Sequence, residues 1–218
     1  MDASRVAVLP VAAAALFWVT EPATADPPPT QQITTVAVGS KGQAVNGYQE
    51  TRPEGNVPFV SGCTPSPSAV ADDVYSCSPS AAGAATCWPS TPGSLLCVDN
   101  PWDQRLHRVA YRGQLPPVQP TSSPEPFALA LDDGTHCLLR NGGAWGSRDD
   151  GYVGGYWCGK SSANPSVLCL PSDQSCIDRS GPVWSVKVGQ LGAPDAHFPP
   201  PQVHAVASAW FAGDRIPG

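Results

Sequence analysis

The chain has 218 residues, among them 26 prolines, 21 glycines and 8 cysteines, and its 18 acidic against 12 basic side chains give a formal net charge of −6. A mildly acidic chain argues against nucleic acid and against anionic lipid surfaces as partners. Low helix propensity almost throughout, with few aromatic residues to build a core from, argues against a helical fold.

Taken in chain order, Arg5 precedes the apolar run Val6 to Thr20 and the small-residue segment up to Ala25, the arrangement of a secretory signal with cleavage expected after Ala25. The run is short for a bilayer span and contains Pro10, so no stable membrane span is expected once residues 1–25 are removed. Removal takes away Asp2, Glu21 and Arg5 and leaves the rest of the chain at −5. Residues 26–56 read as a leader, disordered over its proline-rich start and with a first strand near Ile33 to Val38.

All eight cysteines lie downstream: Cys63, Cys77, Cys87, Cys97, Cys137, Cys158, Cys169 and Cys176. An even count in an exported chain reads as four disulfides, and zinc is disfavoured because no pair has the spacing of a zinc knuckle. The order of landmarks Tyr75–Ser76–Cys77, Cys87–Trp88–Pro89–Ser90, Cys97–Val98–Asp99 returns as Tyr156–Trp157–Cys158, Cys169–Leu170–Pro171–Ser172, Cys176–Ile177–Asp178. The chain therefore reads as mainly β with long loops and little helix, built from two repeated small disulfide-stabilised modules. Module 1 spans 57–115 and module 2 spans 127–191, joined by a proline-rich linker at 116–126. Residues 192–218 form a second proline-rich arm and a C-terminal segment that is either a strand or a short helix. Each cysteine pair in sequence order brackets a turn-rich stretch, which favours sequential pairing within each module, while a crossed scheme stays open.

Candidate chemistry is sparse. Asp72–Asp73, Asp132–Asp133 and Asp149–Asp150 are paired carboxylates, and the last two precede glycine, which favours turn chemistry over calcium and calcium over catalysis. No nucleophile motif accompanies His136. Trp145, Asp149, Asp150 and Tyr152 lie in a glycine- and aromatic-rich segment, 141–157, that module 1 lacks at this length, and they are the candidate binding residues. Tyr156 and Trp157, beside Cys158, are expected to be buried, and Trp88, Trp102 and Trp184 are expected in the core. No catalytic residue, metal ligand or cofactor is assigned.

The segments Ala130–Leu131–Asp132–Asp133–Gly134–Thr135–His136–Cys137, Tyr156–Trp157–Cys158 and Pro182–Val183–Trp184–Ser185–Val186–Lys187–Val188 resemble small exported cysteine-rich proteins of high-GC actinobacteria, chiefly over residues 127–191. The resemblance implies an envelope or culture-fluid location and carries over no catalytic residue. The expected function is a secreted or envelope-associated, non-enzymatic binding protein with a protein or glycan partner. One alternative is a secreted hydrolase of cell-wall material using Asp149, Asp150 and His136; another is a calcium-stabilised extracellular module.

Overall fold

The computed structural model describes residues 27–51, 55–143, 146–159 and 165–215. The expected signal segment and Trp145 lie outside these residues. Among them the fold is almost entirely β: fourteen strands, a single 3₁₀ turn at Ser80–Ala82, and no helix long and apolar enough to cross a membrane.

The first half contributes β2 (Gln49–Glu50), β3 (Phe59–Pro65), β4 (Tyr75–Ser78), β5 (Cys87–Pro89), β6 (Ser94–Asn100) and β7 (Arg105–Tyr111) to one sheet. Its strands run in the order β7, β3, β4, β5, β6, and β6 pairs with β7 again, so the sheet closes into a small barrel with β2 alongside β7. The second sheet comprises β1 (Gln31–Thr35), β8 (Ala128–Leu131), β9 (His136–Leu139), β10 (Val153–Cys158), β11 (Pro165–Cys169), β12 (Ile177–Asp178), β13 (Ser185–Gln190) and β14 (Gln202–Ala212). Here β14 pairs with both β8 and β13, closing a second barrel, with β1 and β12 attached outside the ring. Closure leaves few free edges on a chain rich in β-branched and small residues.

The leader segment is ordered over residues 27–51. Its strand β1 lies parallel to β14, pairing Gln31 with Ser208 and Thr35 with Ala212. Thr30 locks this junction, its Oγ1 donating to the Val206 carbonyl (2.7 Å) and accepting from the Trp184 N–H (2.8 Å). The C-terminal segment, strand or helix on sequence grounds, is the eleven-residue strand β14.

Four bridges join Cys63 to Cys77, Cys87 to Cys97, Cys137 to Cys158 and Cys169 to Cys176, the sequential order, and no cysteine is free. Cys87 and Cys97 face each other across β5 and β6, as Cys137 and Cys158 do across β9 and β10. Gly155 sits in a bulge of β10, and a Cβ there would collide with the sulfur of Cys176. Two tyrosines take matching roles at the two ends of the linker: Tyr75 donates to the Pro116 carbonyl and Tyr156 to the Pro126 carbonyl, each at 2.9 Å.

Three apolar clusters fill the molecule. One, around Tyr75, Leu95 and Val109, lies inside the first barrel, and one, around Leu129, Tyr156, Val167 and Phe211, lies inside the second. The third joins Val74, Trp88, Leu96 and Leu106 of the first barrel to Phe127, Ala128 and Ala212 of the second, with Ala37 and Val38. Trp88 is fully buried there, and its indole N–H donates to the Gly213 carbonyl at 2.8 Å. Trp88→Ala is expected to cost about 3–5 kcal/mol, the usual range for a buried large-to-small change. Because the cluster is shared, amide hydrogen exchange should accelerate in β8 and β14 as well as in β5 to β7. Protection unchanged in β8 and β14 would mean that the barrels are energetically independent.

Candidate functional site

Strand register places the most conspicuous surface feature. On the second barrel Trp210 faces Ala128, Ala128 faces Leu138, and Leu138 faces Trp157, so four residues on β14, β8, β9 and β10 form one row. Their chain neighbours Ala209, Leu129, Cys137, Tyr156 and Cys158 point into the barrel. Side chains alternate along a strand, so the row is the outward face.

The first barrel covers one end of this row. Trp102, on the turn between β6 and β7, stacks on His136 with ring centroids 4.3 Å apart and planes at 14°, and meets Trp210 edge-on at 6.4 Å. The turn is fixed by Asn100, whose Oδ1 accepts from the Asp103 N–H (2.7 Å) and whose amide donates to the Asp103 carboxylate (3.1 Å). Coverage stops there: Trp157 keeps 39% of its surface exposed. Between the two lies a cleft of about 340 Å³, bordered by Asn100, Trp102, Asp103, Thr135, His136 and Trp157 and floored by Leu138. Wider concavities along Leu168 and Val203 and along Pro116 to Gln119 have no aromatic ring in their walls.

This corrects two expectations. Trp157 is not buried with Tyr156, because adjacent strand residues cannot both face the barrel interior. Trp102 is half-buried between the barrels rather than enclosed in a core, whereas Trp88 and Trp184 are buried.

Of the residues singled out in segment 141–157, the described ones, Asp149, Asp150 and Tyr152, are each engaged by a different partner. Asp150 is held by the buried Arg148, whose guanidinium donates to both carboxylate oxygens (2.7–3.1 Å) and also to the Gln190, Phe198 and Pro199 carbonyls. Hydrogen bonding from Arg148 holds the Asp150 carboxyl below its ordinary pKa. Asp149 pairs with His197 at 2.9 Å. The Tyr152 hydroxyl accepts from Lys187 at 3.0 Å, with the ammonium 5.2 Å from the ring centroid. Arg148 thus ties this loop to the second proline-rich arm. Among the described residues, His136 makes no hydrogen bond to Asp149 or Asp150.

The other acidic pairs are engaged locally. Asp73 accepts from the Tyr75 hydroxyl. Asp132, Asp133 and His204 bring ligand atoms within 4.8 Å of one another. Asp133 accepts the Thr135 N–H, which lowers its pKa, while Asp132 accepts from Ala205 N–H and pairs with His204. The Asp133 contact is the turn chemistry of an Asx residue closing the β8–β9 hairpin, whereas Asp132 reaches across to β14.

A histidine that the sequence does not single out, His107, has both ring nitrogens engaged. His107 on β7 places Nδ1 2.6 Å from Asp99 and Nε2 2.9 Å from the Ala82 carbonyl. Both partners are acceptors, an arrangement that favours the doubly protonated ring. Burial opposes the charge, but the Asp99 carboxylate and the Ala82 carbonyl outweigh it and raise the pKa.

The fold and the cleft define a disulfide-stapled, two-barrel β protein with an aromatic-walled cleft at the barrel junction. No family model, curated protein or solved structure matches the chain.

The His107 pair sets a pH dependence. A raised folded-state pKa gives stability that is fully present below the ordinary histidine value of about 6.5 and is lost as pH rises through the higher folded value. Urea midpoints of the protein should therefore fall as pH rises above about 6.5, and His107→Gln should flatten that part of the profile. Equal slopes in the two proteins would remove His107 from the account.

Proposed function

We propose that this chain is an exported, non-catalytic binding protein of the cell envelope or the external medium, and that it recognises its partner at the junction cleft. The carrying observation is Trp157: a large ring, 39% exposed, on a strand held by the adjacent Cys137–Cys158 bridge and facing the Trp102–His136 stack. Exposed rings on a rigid support bind with little loss of side-chain freedom, which is why tryptophan dominates binding hot spots.

Export is supported by the signal-like order of residues 1–25, by four closed disulfides, which belong to an oxidising compartment, and by the resemblance to exported actinobacterial proteins. The hydrolase alternative would need Asp149, Asp150 and His136 to act together, and each is engaged separately, by His197, Arg148 and Trp102. The calcium alternative rests on the paired carboxylates; Asp132 and Asp133 accept backbone N–H groups, while Asp149 and Asp150 are engaged by His197 and Arg148.

Protein recovered from outside producing cells should begin at Asp26 and carry no free thiol. Added to isolated envelopes from those cells, it should co-sediment saturably, and Trp157→Ala should weaken retention about 30-fold, the roughly 2 kcal/mol of a hot-spot truncation. Equal retention of the variant, or recovery of the chain as a reduced cytoplasmic protein, would overturn the reading.

A further inference from the structure

We infer that the junction cleft is a saccharide subsite, in which the ring face of Trp157 stacks on one neutral pyranose while Asp103 and Asn100 receive its hydroxyls. This rests on the binding role proposed above and assigns its ligand class.

A pyranose ring offers two unlike surfaces: flat patches of C–H groups on its faces and a circle of hydroxyls at its edge. The cleft is divided in the same way. Its apolar lining residues are Trp157, Trp102 and Leu138, and its polar ones include Asn100, Asp103 and Thr135. Among the described residues the Asp103 carboxylate accepts one side-chain hydrogen bond, from Asn100, which leaves further acceptor positions for hydroxyl donors. Amphipathic rings of this kind serve sites where one side is apolar and the other wet.

Size and charge narrow the class. A volume of about 340 Å³ falls at the small end of the ~300–1,000 Å³ typical of small-ligand clefts. A stable protein partner would instead need roughly 800 Å² of complementary surface on each side, and Trp157 is the lone exposed large ring here among the described residues. Among the described residues the cleft's walls contain no lysine or arginine, and Asp103 contributes a negative charge. The whole chain is acidic as well, so phosphorylated or uronic ligands are disfavoured. Both walls are pre-set: Trp157 by strand register beside a disulfide, and Trp102 by the double hydrogen bond of its turn. A pre-formed site loses little ordering entropy on binding.

The test is a titration of the disulfide-intact protein with soluble hexamers of β-1,4-glucose, β-1,4-mannose, α-1,4-glucose and β-1,4-N-acetylglucosamine, with polygalacturonate as the anionic comparison. Intrinsic fluorescence and the indole N–H resonances are followed. Saturable binding of at least one neutral hexamer is expected, shifting the Trp157 resonance and leaving that of Trp184 in place. Trp157→Ala should lower affinity at least tenfold, Trp157→Phe less, and Asp103→Asn several-fold. Trp157 is exposed, so its variants should retain the parent circular dichroism spectrum. If no hexamer binds but envelope retention still depends on Trp157, the saccharide assignment falls and the binding role stands. If neither occurs, both fall. Binding unchanged by Trp157→Ala would also overturn the assignment by moving the site elsewhere.

Discussion

Strand β14 belongs to both halves of the molecule, and the rest of the architecture depends on that double membership. Over Gln202–Ala212 it is a stave of the second barrel between β13 and β8, with Ala209 and Phe211 pointing inward. At its end Ala212 exchanges backbone hydrogen bonds with the Ser68–Val70 loop of the first barrel, and Gly213 accepts from Trp88. The outward residues Trp210 and Ala212 meet the shared apolar cluster. Past the residues that pair with β13, Ser208–Ala212 of β14 pair with β1, so strands from the two ends of the described chain lie together. A strand so placed cannot be lost from one barrel without opening the other's contact surface.

Covalent and apolar forces divide the work accordingly. Each disulfide closes a short loop, with sequence separations of 14, 10, 21 and 7, and none crosses between barrels. Bridges of this kind restrict the unfolded chain by roughly 2–4 kcal/mol each, a material share for barrels too small to be held by their own cores. They do nothing to bring the halves together. That falls to the shared cluster and to the tyrosine anchors on the linker, whose effect is to fix where one barrel sits on the other.

Local features of this design were legible in the sequence and non-local ones were not. The sequential pairing of the cysteines was readable from the turn-rich stretches that each pair brackets. Nothing near Gln31 signals that its partner is Ser208, because parallel pairing over such a separation leaves no local trace. The same limit hid the cleft. Period-two alternation in Tyr156–Trp157–Cys158 was enough to send Trp157 outward once Cys158 was taken as buried, and that signal was available. That Trp102 would come to rest on His136 was not, since the two lie on different barrels and meet only through docking. The aspartate pairs drew attention by composition, yet three-dimensional partners such as Arg148 and His197, on or beside turns, account for Asp150 and Asp149.

The cleft is therefore a product of docking rather than of either barrel. Trp102 and Asp103 come from the first, and His136, Leu138 and Trp157 come from the second. A ligand touching both walls binds only the docked arrangement, so occupancy adds RT ln(1 + [L]/Kd) to the stability of the barrel contact. Conversely, whatever weakens the shared cluster lowers the fraction of binding-competent molecules and reduces apparent affinity by that fraction. Trp88, which does not line the cleft, is in this sense linked to it through the shared apolar cluster, against which Trp102 and Leu138 pack, and through β14: it holds Gly213, β14 carries Trp210, and Trp210 is the edge against which Trp102 rests. Affinity and stability in this fold share one physical origin, the angle at which the first barrel's turn meets the second barrel's outer face.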